Sequence, residues 1–128
     1  LRQLRLCSVG RRHGRFRHAN AKVSEAERIV CRTRRGEGML GYDELTEEVM
    51  RDVQVIVNTT PLGMYPKIEG KAPIPYEWIG EKHLLFDCVY NPETTQFLAE
   101  GAKRGARTMN GMGMLYGQAE EAWRIWGN

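Results

Sequence analysis

Three short stretches of this sequence place polar and glycine residues where a ligand could reach them. They read NTTPLGM at residues 58–64, DCVYNP at residues 87–92 and NGMGMLYGQ at residues 110–118. The first offers amide and hydroxyl side chains followed by a Pro-Leu-Gly turn, which forms hydrogen bonds through side chains and backbone alike. Taken alone, such a segment is as typical of a structural turn as of a ligand-binding loop.

The second and third stretches contain residues with more specific chemistry. Asp87 stands inside an apolar run, where a carboxylate needs hydrogen-bond partners or partial hydration. Tyr90 ends that run with its hydroxyl available. The glycines around Gly111 would let a ligand approach backbone N–H groups at the positive end of a helix. Gln118 flanks the apolar face of the same helix, although a solvated glutamine is an equal alternative.

Alternating helix and strand patterns from residue 37 onward would position these stretches. Helices are predicted over residues 42–51, 94–104 and 113–126, strands over 52–58, 83–90 and 106–109, and a Pro- and Gly-rich loop over 61–82. Asp43 is the expected cap of the first helix, and Thr94 or Thr95 caps the second, which ends at Gly105. The last helix has an apolar stripe consisting of Leu115, Ala119, Ala122, Trp123 and Trp126.

Strands that alternate with helices predict an α/β fold with a mostly parallel sheet. In such a sheet the segments that follow the strands gather at one edge, where open α/β folds bind ligands. We therefore expect the three polar stretches to meet there.

Residues 1–36 form an atypical, basic segment, distinct from the regular pattern of residues 37–128. They hold 11 Lys and Arg against 2 Glu, whereas the rest holds 8 basic against 14 acidic residues. Strands are expected within 1–9 and over 28–33, with a loop or poorly ordered piece between them. Arg32-Thr33-Arg34-Arg35 follows a possible strand, where an arginine of a dinucleotide-binding fold would meet the 2′-phosphate of NADP. A solvated basic loop fits equally well, and the G-x-G-x-x-G phosphate loop is absent.

Overall composition indicates one globular domain of 128 residues with a net charge of +3. Membrane partners are not expected, because no apolar run approaches the roughly 20 residues that span a bilayer, and no signal peptide is recognised. The three cysteines are widely spaced, which favours reduced thiols in a cytoplasmic protein and no metal site.

The ordered set VNTTPLGM, DCVYNPETTQFL and NGMGMLYGQA resembles the C-terminal, NADP-binding part of the shikimate dehydrogenase family, from about Gly38 to Asn128. The resemblance implies an incomplete Rossmann-like, doubly wound sheet with flanking helices. It also implies an oxidoreductase that reduces 3-dehydroshikimate to shikimate with NADPH in aromatic amino-acid biosynthesis. Quinate/shikimate dehydrogenases are the near alternative.

The resemblance also assigns roles to individual residues. Substrate contacts are expected from Tyr90 and Gln118. Cofactor contacts are expected from Arg32, Thr33, Asn58, Thr59, Cys88 and Gly111. Cys31 stands where the family's Asn-Arg-Thr motif has its asparagine, so the match at this motif is incomplete.

Parts of the family pattern are missing from this chain. Neither the substrate domain, with its catalytic Lys and Asp, nor the glycine-rich loop with the strand before it is found, so the sheet is expected to have a gap or a changed order. No catalytic residue is assigned, and the chain is expected to be a fragment that acts with a missing N-terminal domain, in the same or another polypeptide. The alternatives are a non-catalytic NADP(H)-binding or structural remnant and, less expected, a nucleic-acid-binding module with RRHGRFRH as its basic arm.

Overall fold

The computed structural model describes residues 6–10, 28–33 and 36–127, and gives side-chain burial from residue 40 onward. The predicted basic arm and the loop around it lie outside the described residues. Among the residues that are described, no helix has the combined length and apolarity that crossing a membrane requires.

Six strands in the described part of the chain form one sheet. They are β1 (Leu6–Gly10), β2 (Arg28–Thr33), β3 (Gly36–Leu40), β4 (Val55–Asn58), β5 (Leu84–Asp87) and β6 (Arg107–Met109). Their order in space is β3-β2-β1-β4-β5-β6. β1, β4, β5 and β6 run parallel, whereas β2 is antiparallel to both of its neighbours. The predicted mostly parallel α/β sheet is therefore confirmed.

The strand order 3-2-1-4-5-6 is that of a Rossmann sheet, but the direction of β2 is not. The sheet runs without a gap from β3 to β6, because β1 pairs directly with β4. Neither the expected gap nor a changed strand order is thus found, and the departure from the usual fold is one of strand direction. β3 was not predicted, since two glycines in its five residues give a weak strand signal.

The described residues also form three α-helices and two 3₁₀ turns. The helices are α1 (Glu47–Asp52), α2 (Gln96–Lys103) and α3 (Met112–Trp126), and the turns cover Tyr42–Glu44 and Tyr76–Trp78. The predicted cap of α1 was wrong: Thr46 takes that position and accepts a hydrogen bond from the backbone N–H of Val49. The predicted cap of α2 at Thr95 is confirmed, as is the stop at Gly105, whose φ is +83°.

The core lies between the parallel strands, α1, α2 and the loop that precedes β5. Its buried members are Leu45, Met50, Val53, Ile56, Ala72, Ile74, Tyr76, Ile79, Leu85, Phe97, Leu98 and Ala106. Tyr76 and Phe97 meet edge to face with ring centroids 6.4 Å apart, a favoured aromatic geometry. This packing anchors the long 61–82 loop to α2.

The buried side chain of His83 forms hydrogen bonds at the amino end of β5. Its ring is buried, Nδ1 accepts a hydrogen bond from the backbone N–H of Gly80 at 3.0 Å, and Nε2 lies 2.7 Å from the carbonyl oxygen of Met50. Because Nδ1 is an acceptor, the ring proton is on Nε2 and is donated to Met50. The ring therefore joins the end of α1 to the start of β5.

The apolar stripe of α3 is not covered by the described residues. No residue of this helix is buried, and Trp123 and Trp126 are 78% and 83% exposed. An amphipathic pattern predicts which face is apolar, but it does not predict what packs on that face.

The carboxylate of Glu100 on α2 forms a charge cluster with three basic side chains. Its carboxylate pairs with Lys71 at 3.0 Å, with Arg104 and, at 3.7 Å, with Lys103. Lys71 also lies over the Tyr76 ring, 4.7 Å from its centroid. Hydrogen bonds from Lys71 and then Arg104 lower the pKa of Glu100 from 4.5 to about 2. The cluster thus ties the 61–82 loop to α2 by charge as well as by packing.

The stabilisation by Glu100 should be lost in acid. A carboxyl group whose pKa is lowered on folding stabilises the folded state above its unfolded value near 4.5, and loses that effect as the pH falls toward 2. Urea unfolding midpoints should therefore be lower for Glu100→Gln than for the parent chain at pH 6, and the two should converge near pH 2. Glu77→Gln, at an exposed position without an ion pair to the described residues, is the control. An equal difference at both pH values would contradict this assignment.

Candidate functional site

The carboxyl ends of the parallel strands lie side by side, as predicted. Asn58, the last residue of β4, pairs in register with Asp87, the last residue of β5, and Val9 of β1 pairs with Asn58 on the other side. The loops that follow β4 and β5 therefore leave the sheet at the same edge. This is the edge at which open α/β sheets bind ligands.

A cavity of about 380 Å³ lies between these two loops. It is lined by Thr59, Thr60, Pro61, Met64 and Tyr65 from the first loop and by Cys88, Val89, Tyr90 and Asn91 from the second. Its volume lies within the range of small-molecule sites, and it combines apolar walls with a few hydroxyl and backbone groups. Three predicted site residues (Thr59, Cys88 and Tyr90) thus line one cavity.

The loop after β4 is folded back by a tight turn. The backbone N–H of Met64 donates to the carbonyl of Pro61, and Gly63 between them has a φ of +82°, which is the geometry of a type II turn. The next residue, Tyr65, then donates its N–H to the carbonyl of Asn91 at 2.9 Å. This bond joins the two loops directly and forms one wall of the cavity.

Asn58 is close to the cavity but does not line it. The residue is fully buried: its amide nitrogen donates to Asp87, and its carbonyl oxygen accepts from the N–H of Thr60 at 3.0 Å and from the Thr60 hydroxyl at 2.6 Å. Both ends of the side chain are therefore already engaged with protein groups. The structure makes Asn58 a support of the loop, whereas the family resemblance implied a contact with the cofactor.

Gly111 is held against the end of β5. Its N–H donates to the carbonyl of Val89, and a Cβ atom at this position would stand 2.1 Å from the carbonyl oxygen of Cys88. The absence of a side chain thus permits close approach of two protein backbones. Asn110 reinforces the junction by donating to the carbonyl of Glu93 and accepting from the N–H of Met112.

Besides Asn58 and Gly111, three more of the predicted site residues lie outside the cavity lining. Gln118 is exposed on α3 and does not contribute to the lining. Arg32 and Thr33 lie at the opposite edge of the sheet, because β2 is antiparallel to β1 and Arg32 pairs in register with Leu6, the first residue of β1. Their predicted phosphate contact would require a parallel second strand.

The cavity lining has no charged side chain, and the charged group next to it is a buried carboxylate. None of the nine lining residues has a basic side chain, and the buried Asp87 directly precedes Cys88 of the lining. Burial, assisted by the negative charge of Asp87, raises the pKa of the Cys88 thiol, so the thiol is kept in its neutral form rather than as a nucleophilic thiolate. No group of three or more His, Cys, Asp and Glu residues among those described is arranged to hold a metal ion.

Sequence reasoning missed Tyr65 as a lining residue, because Tyr65 lies outside the three polar stretches. Tyr65 reaches the cavity through its backbone bond to Asn91, a partner 26 positions away in the sequence. The only local signal was the Pro-Leu-Gly turn, which indicates a reversal of the chain but not its partner.

Alanine substitutions at Gly111 and Gly113 distinguish the effect of close packing on stability from the effect of helix propensity. Gly111→Ala should destabilise the fold by about 1–3 kcal/mol, because its methyl group would overlap the Cys88 carbonyl. Gly113→Ala is the matched control: a Cβ there meets nothing within 4 Å, so the better helix former should be neutral or slightly stabilising. Urea unfolding of both variants measures the difference, and equal stabilities would show that the close contact at Gly111 is unimportant.

The sequence was compared with protein-family models and with curated proteins. No family model matches the sequence. The NADP(+) shikimate dehydrogenase of Methanosphaera stadtmanae is 37% identical over 111 residues, which cover 84% of this chain and 39% of that protein.

Solved structures agree with the sequence relatives. A shikimate dehydrogenase in complex with NADP+ superimposes with a TM-score of 0.60 at 38% identity, and this match covers 67% of this chain and 29% of that one. Quinate dehydrogenase from Corynebacterium glutamicum in complex with NAD gives a TM-score of 0.58 at 29% identity, with the same coverage. The chain spans only about two fifths of the length of the first curated relative. By sequence and by fold, the chain is thus a homologue of the shikimate dehydrogenases that corresponds to part of such an enzyme.

Proposed function

We propose that this chain forms the cleft in which a shikimate dehydrogenase brings NADPH and 3-dehydroshikimate together, and that shikimate is the product. The observation that carries the proposal is the 380 Å³ cavity at the carboxyl edge of the sheet, built by the two loops NTTPLGM and DCVYNP. The reaction belongs to aromatic amino-acid biosynthesis, and we propose a cytoplasmic setting for it.

The lining of the cavity suits the nicotinamide end of NADP rather than its phosphates. Its walls include Met64, Val89 and two tyrosines, and no basic side chain is present to pair with a phosphate. The cofactor supplies a hydride when bound, and the protein's contribution is to hold the ring and the substrate at contact distance. The residues present therefore fit the reactive end of the cofactor.

Individual residues have distinct roles in this proposal. Tyr90 lines the cavity and is 44% exposed, so its hydroxyl is available to a hydroxyl or carbonyl group of the substrate. Cys88 and Thr59 border the place proposed for the nicotinamide. Gly111 acts through its contact with the Cys88 backbone, and Gln118 would contact the substrate from α3.

The lining lacks a carboxylic acid, imidazolium or ammonium group to donate the proton, and offers only weakly acidic hydroxyl and thiol groups. Reduction of a ketone requires a proton as well as a hydride. The nine lining residues include no Lys, His, Asp or Glu. We therefore propose that the acid is supplied by a further domain, in the same polypeptide or in another.

Titration with NADPH, followed by nicotinamide fluorescence with and without shikimate, tests the cleft. The parent chain should bind NADPH saturably, and shikimate should bind to the complex. Tyr90→Phe should weaken shikimate binding about tenfold, the effect of losing one hydrogen bond, while NADPH binding is retained. Tyr116→Phe, on an exposed part of α3 outside the cavity, is the matched control.

The same titration separates the alternatives. Tighter binding of quinate than of shikimate would assign the cleft to a quinate dehydrogenase. Binding of NADPH without either acid would indicate a cofactor-binding remnant. Absence of NADPH binding by a folded chain would overturn the proposed function.

A further inference from the structure

A single carboxylate supports both walls of the cavity. Asp87 is fully buried, and its two oxygens accept three hydrogen bonds. Oδ1 accepts from the backbone N–H of Val89 at 3.0 Å and from the amide of Asn58 at 3.1 Å, and Oδ2 accepts from the hydroxyl of Thr95 at 2.6 Å. These donors belong to the second loop, to β4 and to the start of α2.

The contact with Asn58 extends the support to the first loop. The side-chain carbonyl oxygen of Asn58 accepts hydrogen bonds from both the N–H and the hydroxyl of Thr60, and so links Asp87 to the first loop. The Thr60 hydroxyl in turn accepts from the N–H of Leu62 at 3.3 Å, at the start of the type II turn. An uninterrupted chain of hydrogen bonds thus runs from Asp87 to the turn that forms the opposite wall.

The third hydrogen bond fixes the helix behind the cavity. The Thr95 hydroxyl donates to Asp87 and also accepts from the backbone N–H of Leu98, which caps α2. No Lys or Arg in the described part of the chain makes an ion pair with Asp87, and the donors found there are an amide, a backbone N–H and a hydroxyl. An acceptor-only group at this position therefore fixes the direction of three separate donors.

We propose that Asp87 is the positioning residue of the cleft. It sets the separation of the two loops through Val89 on one side and Asn58–Thr60 on the other, without touching the ligand itself. The inference rests on the proposed function for its effect on binding, whereas the coupling of the loops is independent of any ligand.

Amide hydrogen exchange and NADPH titration of Asp87→Ala and Asp87→Asn test the proposal. In the alanine variant, exchange should accelerate at least about tenfold in residues 59–65 and in residues 88–91 together, because both loops lose their common acceptor. NADPH affinity should fall by a similar factor. The asparagine variant should recover part of both losses, because its remaining oxygen can still accept from Val89 and Asn58.

His83→Ala is the matched control, since His83 is a buried polar residue at the other end of the same strand. Its removal should lower global stability but leave the two loops no faster in exchange than the rest of the sheet, and leave the NADPH affinity of the folded chain unchanged. Equal loop exchange in the Asp87 and His83 variants, or acceleration in only one loop, would overturn the positioning role. If the alanine variant does not fold, hydrogen exchange and NADPH affinity of the asparagine variant decide by the same criteria.

If the parent chain binds no NADPH, the proposed function fails. The comparison of loop exchange in the Asp87 and His83 variants still decides whether Asp87 couples the loops.

Discussion

The register between β4 and β5 places an amide beside a carboxylate in the interior of the sheet, and most of the site depends on that pairing. Asn58 and Asp87 end adjacent parallel strands and are both fully buried. Burying a carboxylate is costly unless donors surround it, so the neighbouring segments are constrained to present their N–H and O–H groups toward it. The shape of the ligand-facing edge is thus a consequence of satisfying a polar pair beneath it. An apolar pair at the same two positions would offer the loops no hydrogen-bond acceptors to fix their direction.

Sequence reasoning predicted the elements whose signals are local. The β-branched run of β4, the Thr95 cap and Gly105 stop of α2, and the alternation of strand and helix were sufficient for the α/β class. The cap of α1 was assigned wrongly because Asp43 and Thr46 are both good caps three residues apart. Asp43 instead lies in a separate 3₁₀ turn. Helix propensity does not distinguish two adequate caps. The burial of Leu45, which lies between Asp43 and Thr46, determines where α1 begins.

The site was predictable to the extent that its residues directly follow strands. Thr59, Cys88 and Tyr90 were identified because the carboxyl ends of parallel strands meet at one edge. Tyr65 was not, because a backbone bond to a distant loop brings it there. The position of Arg32 depended on the direction of β2, and strand direction is a tertiary property that a six-residue pattern does not encode. The resemblance to a family implied a parallel strand at this point, and the antiparallel pairing moves the residue to the other edge.

The distribution of the three tryptophans determines what their emission can report. Trp78 is half-buried against the core, whereas Trp123 and Trp126 are almost fully exposed on α3. Indoles that are already hydrated in the folded state change their emission wavelength little on unfolding. Two of the three fluorophores will therefore dilute the spectral shift that accompanies loss of the core. Conversely, any molecule that covers α3 will move the emission to shorter wavelength while the fold itself stays unchanged.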